Sequence, residues 1–70
     1  MLRLTQLRKE AGLSQSELAR RSRLHHSTVC LVENRRLRPY GGQLDKLAAA
    51  LDFAGRPIEL LEEVDGGTGL

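Results

Sequence analysis

Tryptophan is absent from these 70 residues, and phenylalanine, tyrosine, cysteine and methionine occur once each. With 40% apolar residues but so few aromatics, the core must be built from Leu, Val and Ala. That composition favours packed helices over a β-sandwich, because the aromatic and β-branched residues that fit a pleated surface are scarce. The single Cys30 has no partner for an internal disulfide, which suits a reducing cytoplasm. No apolar run is long enough to span a membrane, and no signal-peptide hydrophobic region is present. No glycine-rich loop follows a strand pattern, so nucleotide cradling is not expected. A chain this short buries only about 60% of its unfolded surface, enough for one small domain.

Chemistry is as poorly provided for as aromatic packing. His26 and Cys30 have i, i+4 spacing, and His25 is adjacent, but a structural zinc site needs four ligands and no second cysteine or histidine cluster supplies them. A Cys–His nucleophile would need a third, orienting group and an oxyanion donor pattern, and neither is visible. The sequence therefore reads as a non-enzyme, with no metal and no cofactor.

Charge is present in quantity and unevenly placed. The formal net charge is only +2. Residues 1–40, however, carry nine Arg or Lys against three acids (Glu10, Glu17 and Glu33), whereas residues 41–70 carry two against six. A basic half joined to an acidic half suits a phosphate-binding face with a separate partner-facing end.

The most informative stretch is Leu13 to Asn34. Ser14 is a good N-cap, and Glu17 three residues later completes a capping box. Leu13 and Leu18 have the spacing of a hydrophobic staple. A helix is expected from Gln15 to Ser22, with Leu18 and Ala19 inward and Arg20 and Arg21 outward. After the turn Arg23-Leu24-His25, a second helix runs from His26 to Asn34. At about 100° per residue its Val29 and Val32 share one face, flanked by Thr28. Ser27, Cys30, Leu31 and Asn34 point the other way, between two groups of arginines.

The remaining chain supports this pair. Leu4, Leu7 and Ala11 predict a first helix, from Leu4 to Ala11, closed by Gly12, with Arg8 and Lys9 suited to its carbonyl end. Arg35, Arg36 and Arg38 form a loop ended by Pro39. Leu44, Leu47, Ala48 and Leu51 make an i, i+3, i+4, i+7 stripe, and the glycines at 41 and 42 delay the start of that helix to Gln43. Pro57 is placed to open a fifth helix with Ile58, Leu61 and Val64 inside and Glu59, Glu62 and Glu63 outside. A strand is the alternative there, but ELLEE does not alternate with period two. Residues 1–64 read as the domain and residues 65–70, with three glycines, as a frayed tail.

Gly12-Leu13-Ser14-Gln15, Glu17-Leu18-Ala19, Val29, Val32-Glu33-Asn34 and Arg38-Pro39 together resemble the Cro/repressor-type, or xenobiotic-response-element, helix-turn-helix family over about Leu4 to Leu51. The resemblance implies an all-α, compact bundle of about five short helices, of the lambda repressor-like kind. It implies binding of double-stranded DNA by a homodimer on a palindromic operator with half-sites about 34 Å apart. His26, Ser27 and Leu31 match the positions that read base edges, with Thr28 an additional contact. Ser14, Gln15, Asn34, Arg35, Arg36 and Arg38 would hold phosphates, while Glu33 is expected to pair with a nearby arginine.

Three departures from the family stand out. It usually has glycine where Arg23 stands, so Arg23 must adopt a left-handed conformation at a cost of ~1 kcal/mol. His25 occupies a place where Ser or Thr commonly caps, and Leu31 one where a polar residue is commoner. The function expected is transcriptional regulation, as a repressor in the cytoplasm. The alternatives are an antitoxin that neutralises a toxin partner through its acidic end, and a coactivator-like module that reads no duplex sequence. Phe53 to Val64 is the expected dimer interface.

Overall fold

The computed structural model describes residues 1–64; the expected tail, 65–70, lies outside the described residues. Four α-helices follow one another: α1 (Arg3–Glu10), α2 (Gln15–Ser22), α3 (His26–Glu33) and α4 (Gly41–Ala50). A 3-10 helix over Pro57–Leu61 completes the element order. The all-α architecture is as expected. α2 packs on both α3 and α4, and the 3-10 helix packs on α4 and α1. None of these helices is long and apolar enough to cross a membrane.

The core is aliphatic. Leu4, Leu18, Val29, Val32, Leu47 and Leu60 are its fully buried members. Leu13, Ala19 and Ala48 join them, with Leu7, Leu51 and Phe53 packed against the cluster. The periodicity-derived faces of α2, α3 and α4 therefore point where expected.

All four α-helices end in the same way. After each, one residue takes a positive φ: Gly12, Arg23, Arg35 and Asp52. The amide of the next residue then donates back to the helix, from Leu13 to Arg8, Leu24 to Ala19, Arg36 to Leu31 and Phe53 to Ala48. These are Schellman closures, which satisfy the orphan carbonyls of the last turn. Leu13 and Leu24 are at once the last residues of one closure and the residues preceding the next N-cap. Connections this short fix the angle between successive helices.

Two expectations need correction. The fourth helix begins at Gly41, not Gln43. Gln43 accepts the Tyr40 amide through its side-chain oxygen at 3.3 Å, which satisfies a donor at the helix entry despite the glycines. The fifth α-helix is absent. The chain makes 3-10 turns only as far as Leu61 and is extended by Glu62. Val64 donates to Met1 and Arg3 donates to Glu62, both at 2.8 Å. Amides and carbonyls that a continuing helix would pair internally are instead paired with the N-terminal segment, in an isolated antiparallel bridge between Leu2 and Glu63. Three residues per turn also changes the inner face. Leu60 is fully buried, whereas Ile58 is 42% exposed and Leu61 and Val64 are half-buried.

This register has a direct test in denaturant unfolding. Leu60→Ala should cost about 2–5 kcal/mol by opening a core cavity, and Ile58→Ala should stay within about 0.5 kcal/mol. Reversed magnitudes would restore the α-helical register.

Candidate nucleic-acid interface

The entry to α2 is built from its sequence as the capping box requires. Ser14 Oγ accepts from the Glu17 amide at 3.1 Å, and the Glu17 carboxylate accepts from the Ser14 amide at 3.0 Å. The Ser14 hydrogen bonds hold the Glu17 carboxyl below the usual carboxylate range, and Arg20 and Arg21 add in the same direction. Leu13 and Leu18 are both in the core cluster, as the staple demands.

The turn between α2 and α3 depends on two residues that seemed ill suited to it. Arg23 has φ 59° and ψ 33°, the left-handed conformation expected of it. His25 caps α3 with its ring: Nδ1 accepts from the Ser27 amide at 3.1 Å. An imidazole in this position must leave Nδ1 unprotonated and carry its proton on Nε2. The side chain therefore does for α3 what a serine hydroxyl does for α2.

α3 buries Val29 and Val32 and presents His26, Ser27, Leu31 and Asn34 to solvent. Leu31 is 40% exposed. Thr28 and Cys30 are half-buried at the edges of this face. Asn34 Nδ2 lies 3.4 Å from Cys30 Sγ, which holds the amide against the helix end.

Glu33, at the end of α3, is buried and paired as the sequence suggested, and its partner is Arg8. Arg8 Nε and Nη2 donate to the carboxylate at 2.7 and 3.1 Å, and Nη1 donates to the Leu13 carbonyl at 2.8 Å. Gln15 Nε2 adds a bond to the same carboxylate at 3.0 Å. The start of α2 is thereby held beside the end of α3. Gln15 is half-buried by this contact, so part of its amide is used internally. The sequence offered no pointer to Arg8 beyond its place in the last turn of α1.

The arginines of the following loop divide into two kinds. Arg36 and Arg38 are exposed and have no side-chain partner among the described residues. Arg35 instead places its fork on Glu63, with bonds of 2.5 and 2.7 Å. That bond raises the Arg35 pKa and holds the Glu63 carboxyl below its usual range. The guanidinium expected to hold phosphate is therefore paired with an internal carboxylate in this structure.

A capped short helix, a tight left-handed turn and a second helix with a solvent-facing polar edge are, in order, the parts of a helix-turn-helix. The helix-turn-helix domain family matches residues 2–63. The chain belongs to that family. No curated protein and no solved structure matches it. Membership makes DNA the partner class of this domain. Among the described residues no group of three or more His, Cys, Asp or Glu side chains is placed to hold a metal ion.

Two outcomes test the architecture of the site. Arg23→Gly should raise stability by about 1 kcal/mol, because glycine takes the left-handed conformation without a Cβ clash. A loss in thermal or denaturant melts would mean that the arginine stem contributes packing there. Arg8→Ala should cost about 3–5 kcal/mol by stranding the buried Glu33 charge, and the Arg8→Met, Glu33→Leu double variant should recover much of that loss. Equal losses in the two would show that the stranded charge is not the cause.

Proposed function

We propose that this helix-turn-helix protein binds double-stranded DNA sequence-specifically as a transcriptional regulator of the Cro/repressor type, acting as a cytoplasmic repressor and not as an enzyme. The carrying observation is the composition of the exposed edge of α3, where His26, Ser27, Leu31 and Asn34 stand free of the core. Fold alone would not support the reading, since folds host many functions. A helix edge with a hydroxyl, an imidazole, an amide and one apolar group can hydrogen-bond base edges and pack on a thymine methyl. Thr28, half-buried beside Ser27, would add a secondary contact.

Phosphates would be taken on both sides of that edge. On one side are Ser14, the part of the Gln15 amide not bonded to Glu33, and the first-turn amides of α2, which have no intrahelical acceptor. On the other are Asn34, Arg36 and Arg38, with Arg35 when its fork is not on Glu63, which add affinity without sequence information. The Arg8–Glu33–Gln15 network supports this division, because it sets the two flanks at a fixed separation. A homodimer on a palindrome, with half-sites about 34 Å apart, is the form in which such a unit reads an operator. Phe53–Val64, where Ile58 is exposed, is its proposed interface.

Selection from a random duplex pool at two salt concentrations tests the reading. The expected result is an enriched palindrome. Substituting Ser27 or Leu31 should then change base preference, whereas Arg36→Ala should weaken all duplexes alike and flatten the salt dependence by about 0.9 in log–log slope per contact. Binding without enrichment, vanishing at higher salt, would instead favour the protein-interaction module, with a toxin-like partner on the acidic end.

A further inference from the structure

The loop after α3 has its own internal anion. Arg35 follows the recognition helix directly, and its guanidinium is held on two nitrogens by the Glu63 carboxylate. A carboxylate set in this way offers two oxygens to the guanidinium fork in the geometry that a phosphate would offer. Glu63 is not an incidental neighbour. It lies 28 residues away in sequence and is brought there by the bridge of Leu2 with Glu63. The Met1 amine, 3.5 Å from the same carboxylate, and the Met1–Val64 backbone bonds hold that segment in place. Arg35, Arg38 and Glu63 also line one shallow apolar concavity of about 230 Å³, with Leu2, Leu37 and Leu61. An arginine assigned to phosphate and the carboxylate that would repel phosphate therefore share one hollow.

Both partners are exposed, with Arg35 at 51% and Glu63 at 59% of side-chain surface. An exposed pair is weak enough for a competing anion to displace it. We infer that Glu63 is an intramolecular competitor for the phosphate site of Arg35, so that the C-terminal segment regulates how many backbone contacts the recognition helix can recruit. This rests on the DNA-binding reading above and adds a regulatory element to it. While Glu63 occupies the fork, the loop offers two cations without a side-chain partner among the described residues, Arg36 and Arg38. Once the segment 62–64 releases it, the loop offers three. Anything that draws the acidic segment away would tighten DNA binding without touching the reading helix.

The test is anisotropy titration of the full chain with its selected duplex, across a salt series. Glu63→Gln should tighten binding severalfold at low salt. It should also steepen the salt dependence, so that about threefold more affinity per half-site is lost between 50 and 200 mM salt. Glu62→Gln, which removes a neighbouring exposed carboxylate with no side-chain partner among the described residues, controls for general charge and should give a smaller gain. In an Arg35→Ala background Glu63→Gln should gain no more than Glu62→Gln. Unchanged or weaker binding by Glu63→Gln, or a gain that persists without Arg35, would overturn the inference while leaving DNA binding intact. Failure of the unaltered chain to bind any duplex would remove both.

If Glu63→Gln does not fold, the unaltered chain still decides the matter. The Arg35 Nε–Hε resonance in a nuclear magnetic resonance spectrum should shift as duplex is added. A resonance that stays in its free-state position at saturation would show the pair intact on DNA and overturn the inference.

Discussion

The bond between Arg8 and Glu33 organises the molecule. It joins the last turn of α1 to the last residue of α3, and through the Leu13 carbonyl and the Gln15 amide it also grips the α1–α2 connection and the start of α2. Glu33 keeps only 5% of its side-chain surface. A carboxylate so enclosed is tolerable only because two nitrogens of Arg8 and one of Gln15 donate to it, and removing Arg8 would leave the charge uncompensated. A pair of this kind is weak evidence for net stability, since apolar replacements are often as stable. Its contribution here is geometric. The flank carrying Ser14 and Gln15 cannot drift relative to the edge carrying Ser27 and Leu31 without breaking bonds in a poorly solvated place.

Local closures do the rest of the positioning. A domain this small has little apolar surface to spare, so each helix end must satisfy its own backbone groups. The chain does this four times with the same backbone motif, although only one of the four residues at positive φ is glycine. Arginine at two of these positions carries a conformational cost that the surrounding hydrogen bonds offset. Both arginines stand at the ends of the helices that form the motif, where positive charge is favourable to the helix dipole.

Charge distribution links this architecture to function. The basic first half supplies the flanks of α3. The acidic second half is not simply remote from them, because Glu63 returns to α3 through the bridge with Leu2. Arg35, proposed to take a phosphate, and the carboxylate proposed to compete for it are thus paired across 28 residues of sequence, and on that proposal affinity for DNA depends on the position of a short extended segment.

Much of this was legible in the residues alone. The capping box, the staple, the left-handed Arg23 and the faces of α2, α3 and α4 all follow from interactions within a few positions of one another. Local spacing therefore determined the helix-turn-helix and the identity of the exposed edge. What local spacing does not contain is the outcome of competition between distant partners. Residues 57–64 carry a helical pattern, yet Glu62 to Val64 pair with the first residues of the chain, because backbone bonds there also seat Leu60 in the core. Arg35 and Arg36 are adjacent and chemically identical, yet one has a carboxylate and the other has none among the described residues. His25 is not a usual cap residue by type, yet its ring turns Nδ1 toward the Ser27 amide. The sequence determined the parts and their faces, since those depend on period and propensity. Only the tertiary structure decided which charges are already neutralised, because ion pairs form between segments that only the completed fold brings together.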